Sequence, residues 1–286
     1  MPSIPGSEEH FSGRDALLIK FWSDQLGEVL LTTSGLSKYF GALAALHKVE
    51  LTVRRGQIHG LIGPNGAGKT TFANVVSGLL PSTEGKIYFD GTDITGVKPY
   101  IIVKRGLSRT FQRGQIFPGM TCLQNVMVGR HYRIRSGFLR TAFRLPFARW
   151  TEEDITKQQS LELLQFVGLP DVAEHWASDL VWVECQLLQI ARALASKPKL
   201  LILDEPSAGM GIEESQTIGK IIRQVRDSGI TIVLIGHDVE LIMGVADWIT
   251  VLNFGEKIYE GTPSHVRSNS KVLEAYFGTE KSSSES

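Results

Sequence analysis

Long apolar runs, cysteine and net charge are what this chain has least of. No stretch approaches the roughly 18 consecutive apolar residues of a membrane-crossing helix, so service to a membrane is expected to run through partner chains. The N-terminus lacks the basic start, apolar core and small-residue cleavage site of a secretory leader, so none is expected. There are 2 cysteines, Cys122 and Cys185, far apart in sequence and without metal-ligand spacing. That argues for reduced thiols in a cytosolic protein rather than a disulfide framework or a zinc site. Lys plus Arg and Asp plus Glu number 30 each, so no bulk charge points to a nucleic-acid partner. No internal repeat is visible. The 286 residues suffice for one large domain or two intimately joined subdomains.

What the chain does have is glycine gathered at one place. Residues 63 to 71 read Gly63, Pro64, Asn65, Gly66, Ala67, Gly68, Lys69, Thr70 and Thr71, a complete G-x-x-x-x-G-K-[ST] phosphate loop. It follows the apolar run 58–62 and precedes a helix expected to open at Lys69 to Phe72. Polyphosphate carries dense negative charge, met here by backbone N–H groups that glycine bares, one lysine, and the positive end of a helix dipole. Lys69 can reach the β- and γ-phosphates, and the Thr70 hydroxyl can bind Mg²⁺. A nucleoside triphosphate is the expected ligand.

Residues 1–27 look like an appendage. Leu18, Trp22 and Leu26 recur at helical spacing, a short amphipathic segment that would pack on the domain, touch a membrane or partner, or stay unfolded. The folded nucleotide-binding unit is expected over 28–280. Glu28 to Thr33 and Val49 to Val53 alternate as half-buried strands do, and Gly85 to Gly91 encloses a further short strand. A helical subdomain is expected over about 115–185, with a helix opening at Thr151 to Asp154 and closed by Gly168. A helix over Gln186 to Ala195 follows. Leu200 to Leu203 and Ile230 to Ile235 are continuous apolar runs of the kind buried in a parallel sheet, separated by a helix over Glu213 to Ser228. Trp248 to Leu252 and Glu256 to Tyr259 predict a closing hairpin, and 281–286 a polar tail.

Two carboxylates stand at the exit of the Leu200 run. Asp204 sits where a Walker B aspartate orients Mg²⁺, usually through water. Glu205, next to it, is placed to polarise an attacking water as general base. Gln112 can reach metal and water from a loop, and His237, after the Ile230 run, can hold the γ-phosphate.

Taken in order, a phosphate loop, Phe111-Gln112, a helix running into Ile190 to Leu194, then Leu203 to Pro206 and Gly236 to Asp238 resemble an ATP-binding-cassette (ABC) ATPase, over about 29–278. The resemblance implies an α/β P-loop NTPase fold: a RecA-like parallel core, an antiparallel β subdomain and an inserted α-helical subdomain. It implies that Phe40 stacks on adenine, with Tyr39 the second choice. It also implies dimers in which ATP is sandwiched between head-to-tail subunits, each ATP meeting the signature loop of the opposite chain. Arg109 to Gln112, Phe117 to Val126, the basic stretch Arg130 to Arg149, Ala208 to Met210 and the end from His237 to Gly278 resemble ATPases of branched-chain amino-acid uptake. That family pairs a second, related ATPase with two permease subunits and an extracytoplasmic binding protein, at the cytoplasmic face of the plasma membrane. The arginines at 133, 135, 140, 144 and 149 would then face lipid headgroups, permease loops or plain solvent. A lipid or lipopolysaccharide export ATPase and a soluble regulatory ABC protein are the alternatives.

The pattern breaks at one place. The family's signature, of the form Leu-Ser-Gly-Gly-Gln, aligns with Leu180, Val181, Trp182, Val183 and Glu184. The serine whose hydroxyl would meet a γ-phosphate is Val181, the second glycine is Val183, and a carboxylate, Glu184, replaces the glutamine. The usual aspartate downstream of Glu205 is Gly211. Each change opposes phosphate binding. Because a signature acts on the partner's nucleotide, the expected assembly is an asymmetric heterodimer with one hydrolytic and one weak site.

Overall fold

A computed structural model of the chain describes residues 28–110, 116–130 and 152–277. The segment expected at 1–27, the arginines from 133 to 149, Gln112 and the tail at 281–286 lie outside the described residues. The described chain builds two sheets.

The smaller sheet is antiparallel, ordered β2 (Leu43–Arg54), β1 (Val29–Phe40), β4 (Glu84–Phe89) and β5 (Thr92–Asp93). The larger is ordered β10 (Glu256–Gly261), β9 (Trp248–Asn253), β3 (Ile58–Ile62), β8 (Thr231–Ile235), β7 (Leu200–Asp204) and β6 (Leu107–Arg109). β9, β3, β8, β7 and β6 pair in parallel, and β10 closes antiparallel on β9. Every residue of β3, β7 and β8 is buried, as continuous apolar strands covered on both faces must be.

Alternation along these strands feeds two cores. Leu200, Ile202, Val233, Ile235 and Leu252 pack with Phe72, Val75 and Val76 of α1 (Lys69–Val76) and with the inner face of the antiparallel sheet. Leu201, Leu203, Ile232, Leu234 and Ile249 face the opposite way. They meet α3 (Cys122–Val128), α4 (Glu152–Phe166), α5 (Trp182–Leu194), α6 (Ile212–Asp227) and α7 (Val239–Val245), with α8 (Pro263–Ser268) and α9 (Ser270–Phe277) at the edge. α2 (Pro99–Arg105) leads into β6.

Three elements run longer than the sequence expectation, among them β2, which starts at Leu43 rather than Val49. The first strand does not stop at Thr33: a register shift between Thr33 and Leu36, with Gly35 at φ +58°, absorbs the break and pairing resumes to Phe40. α5 begins at Trp182, four residues before Gln186, because the Glu184 carboxylate accepts the Val181 N–H at 3.1 Å and caps the helix start.

Candidate active site

β3 delivers the chain to the phosphate loop, and the loop is built from close approaches. Gly63 has φ +153°, and a Cβ there would stand 2.1 Å from the Leu252 carbonyl oxygen of β9. Gly68 has φ +101°, and its Cβ would meet the Ala45 carbonyl oxygen at 2.5 Å. The closing hairpin holds the loop from outside: Gly255 N–H donates to Ala67 O at 3.1 Å, and His47 N–H donates to Gly255 O at 2.8 Å. α1 then starts at Lys69 with no side-chain cap and no acidic residue in its first turn. Its first N–H groups therefore keep the positive helix end available to an anion.

The Lys69 ammonium is buried and donates to Gly63 O at 2.7 Å and Pro64 O at 3.0 Å. Burial lowers its pKa, while the nearby carboxylates of Glu205 and Asp204 pull it upward. A phosphate oxygen offers such an ammonium a stronger acceptor than either carbonyl. Asn65, Gly66 and Thr70 are exposed around it, and Pro64 and Thr71 half-buried.

Asp204 ends β7 fully inside. Its Oδ2 accepts from Arg109 Nη2 at 2.6 Å, with side-chain exposures of 0% and 5%. Arg109 Nη1 also donates to Asn74 Oδ1 of α1 at 2.7 Å, joining the carboxylate to the helix behind the phosphate loop. Burial raises the Asp204 pKa against the pull of Arg109 and Lys69. Its other oxygen, Oδ1, is buried without a hydrogen-bond partner. An orphaned carboxylate oxygen within electrostatic reach of Lys69 is a seat for a cation or its water.

Glu205 follows with φ +52°, a strained conformation for a non-glycine residue. Its N–H donates to Ile235 O at 2.7 Å, so the end of β8 fixes it. His237 Nδ1 lies 3.4 Å from Glu205 Oε2, with the imidazole mostly exposed and the carboxylate mostly covered. Asp238 caps α7 by accepting Leu241 N–H at 3.0 Å, and accepts from Ser207 Oγ at 3.1 Å and Ser215 Oγ at 2.8 Å. Burial would raise its pKa, but these donors and the neighbouring His237 hold it below the usual carboxylate range.

At the β1–β2 turn, Phe40 is 48% exposed with Lys38 Nζ 5.1 Å from its ring centroid. Tyr39 is committed elsewhere, through its hydroxyl to His47 Nδ1 at 2.9 Å. In the 180–184 segment, Leu180 and Val183 pack half-buried against the core, while Val181 and Trp182 are exposed. The Trp182 indole Nε1–H donates to Ala208 O at 2.8 Å.

Residues 46–208 match the family model described as ABC transporter. The chain belongs to the ABC transporter family. It is 36% identical over 250 residues to the high-affinity branched-chain amino acid transport ATP-binding protein BraF of Pseudomonas aeruginosa, covering 87% of this chain and 98% of that one. It is 35% identical over 254 residues to the LivG protein of the same description from Escherichia coli, covering 88% and 99%. Among solved structures it resembles the ADP conformation of an ATP-binding cassette of an ABC transporter, at TM-score 0.77 and 32% identity over 88% of this chain and 99% of that one. A nucleotide-free cassette matches at TM-score 0.76. The fold is that of the P-loop ABC ATPases, and the chain is an ATPase of that family which binds adenine nucleotide.

Within this ABC ATPase the fold brings Lys69, Asp204, Glu205 and His237 into one neighbourhood, beside the α1 N-terminus. Phe40 stands at the turn leading into the strand that packs on Gly68. Leu180 to Glu184 are joined to the neighbourhood by the Trp182 bond to Ala208. Sequence reasoning did not assign Arg109 or Asp238 a part. An arginine closing the short run 107–109 just ahead of Gln112 in sequence was the available signal for Arg109. For Asp238 the signal was an acidic residue directly before a helix, the ordinary N-cap pattern. Among the described residues no helix is long and apolar enough to cross a membrane.

Proposed function

We propose that this chain is the ATP-hydrolysing subunit of an importer that carries branched-chain amino acids or related small solutes through separate permease subunits. The convergence of Lys69, Asp204 and Glu205 at the open N-terminus of α1 carries the reading. The printed descriptions of BraF and LivG support the solute class. No helix of the described residues can span a bilayer, which fits a subunit docked on permeases at the cytoplasmic face and fed by an extracytoplasmic binding protein.

In this reading residues 63 to 71 cradle the β- and γ-phosphates, Lys69 exchanges its backbone carbonyls for phosphate oxygens, and Phe40 stacks on adenine. Glu205 takes the proton of the attacking water. His237, 3.4 Å from that carboxylate, would hold a γ-phosphate oxygen. Magnesium fits the site: Asp204 Oδ1 is a buried acceptor without a partner, and Thr70 and Gln112 would add oxygens. Among the described residues no group of three metal-ligating side chains could hold a metal alone, so phosphate and water would complete the shell. Bound there, the ion would neutralise charge on the β- and γ-oxygens.

The Leu180–Glu184 segment makes the dimer asymmetric. Val181 has no hydroxyl to offer, and its N–H is already taken by Glu184. The helix end that should greet a partner's γ-phosphate therefore carries its own anion. Gly211 likewise brings no carboxylate, and its N–H is spent on Glu214 at 3.0 Å. One productive site, on this chain's own phosphate loop, and one weak site on a related partner ATPase follow. Glu205→Gln should leave ATP binding intact, stop hydrolysis and trap the closed dimer; sustained turnover in that variant would remove Glu205 from its role. Permease subunits that copurify with the tagged chain would support the importer, and lipid-export components in their place would refute it.

A further inference from the structure

We infer that Trp182 is a positioning residue for Glu205, so that the signature position has exchanged a phosphate-binding part in trans for a bracing part in cis. The inference rests on the proposed roles of Glu205 as base and of Leu180–Glu184 as the signature position.

A glycine would be expected at residue 182 from the family pattern, and glycine has nothing with which to reach another loop. Here an indole spans from the first turn of α5 to the Ala208 carbonyl at 2.8 Å. Its backbone is fixed from two sides. Glu184 caps the helix start at Val181, and the flanking Leu180 and Val183 are packed against the core. The other end of the bond lies in the tight turn leaving the base. Ala208 N–H donates to Glu205 O at 3.2 Å, and Met210 N–H to Ser207 O at 3.1 Å.

Glu205 holds φ +52°, which a non-glycine residue keeps only when its surroundings enforce it. On the β8 side the enforcement is Glu205 N–H to Ile235 O and Ser207 Oγ to Asp238. Both of those partners lie on the segment that carries His237. The Trp182 bond comes from α5 instead, an element separate from β8 and from the His237 segment. Trp182 is still 44% exposed, so whatever seats against it loads directly on the turn behind the base. Loss of the indole donor should free the turn and let Glu205 relax from its working conformation without touching the phosphate loop.

The test uses the ATPase copurified with its native membrane subunits through a tag on this chain, comparing wild type, Trp182→Phe and Glu205→Gln. Trp182→Phe keeps an aromatic ring and removes the donor. The expected result is a kcat about fivefold lower, the worth of one hydrogen bond in rate, with KM for ATP within about twofold. Hydrogen exchange at the Ala208 and Met210 amides should quicken, while the thermal midpoint stays near wild type. An unchanged kcat with unchanged exchange, in a complex that Glu205→Gln silences, overturns the inference and leaves the base standing. A rise in KM that matches the loss of kcat also overturns it, because that is a binding defect. If Glu205→Gln itself still turns over, the base assignment falls and takes the inference with it.

Discussion

Replacing Arg109 by Gln should leave a buried carboxylate without the cation bonded to it, with only the more distant pull of Lys69 remaining. Asp204 and Arg109 are 0% and 5% exposed and 2.6 Å apart, so water cannot take over from the lost guanidinium. Breaking a buried pair from one side costs about 3–5 kcal/mol, at least a fifth of the roughly 5–15 kcal/mol that holds a domain folded. The pH dependence carries the diagnosis. Burial already holds the Asp204 pKa above its ordinary value, and without Arg109 it should rise further. A carboxyl whose folded pKa lies above its unfolded one binds protons more tightly when folded, so its cost is absent at low pH and grows as pH rises through the folded pKa. Urea unfolding of Arg109→Gln from pH 5 to 8 should show a deficit against wild type that widens with pH. Asp204→Asn in the same background should recover most of it, since the amide has no charge to strand. A deficit below about 1 kcal/mol, or one flat across the range, would refute the idea that Arg109 compensates a buried charge.

Other expectations are simpler to state. Gly63→Ala should abolish ATP binding, because the new methyl would press on the Leu252 carbonyl at 2.1 Å; binding by isothermal titration at wild-type strength would count against the close-approach account. Lys69→Ala should likewise remove nucleotide affinity while the fold, followed by circular dichroism, survives. His59 is fully buried, hydrogen-bonded to Thr250 Oγ1 at 2.9 Å, with its pKa pushed down to about 3 by burial and by Lys257. Folded protein thus refuses a proton that the unfolded chain accepts below about 6.5, and stability should fall as pH drops, at up to about 1.4 kcal/mol per unit. His59→Gln should flatten that acid slope in urea titrations; an equally steep slope would acquit the histidine. Restoring Ser at 181 and Gly at 183 should raise turnover per complex about tenfold or more, the value of a hydrogen bond to a charged phosphate, against a stability loss of about 1–2 kcal/mol from the half-buried Val183. An unchanged rate would mean that the segment is not the defect.

The motif-bearing parts of the fold were legible because each rests on a local rule. The apolar runs over β3, β7 and β8 could only be strands covered on both faces, and the glycines at 63 and 68 could only serve a backbone that crowds its neighbours. What escaped was set mostly at long range, with one local exception. The length of β1 depended on pairing with a strand that picks up the register beyond the Gly35 bulge, which no window centred on Thr33 contains. The start of α5 depended on a carboxylate three residues downstream acting as cap, a device that departure from the family's signature obscured. The Arg109–Asp204 pair spans 95 positions, and neither side chain announces the other. Sequence placed the acids; only the fold supplied the cation that lets one of them be buried.

The order of strands around β3 also says when this molecule can begin to work. β3 leaves the ribosome early, yet its neighbours on either side are β8 and β9, and Gly255 in the final hairpin is what closes over Ala67. A nascent chain that ends at residue 227 would display a strand that the finished fold buries completely, with two unpaired edges, a surface open to wrong pairing. Nucleotide affinity should therefore emerge late and all at once during synthesis, and chaperone capture should be heaviest just before β8 arrives.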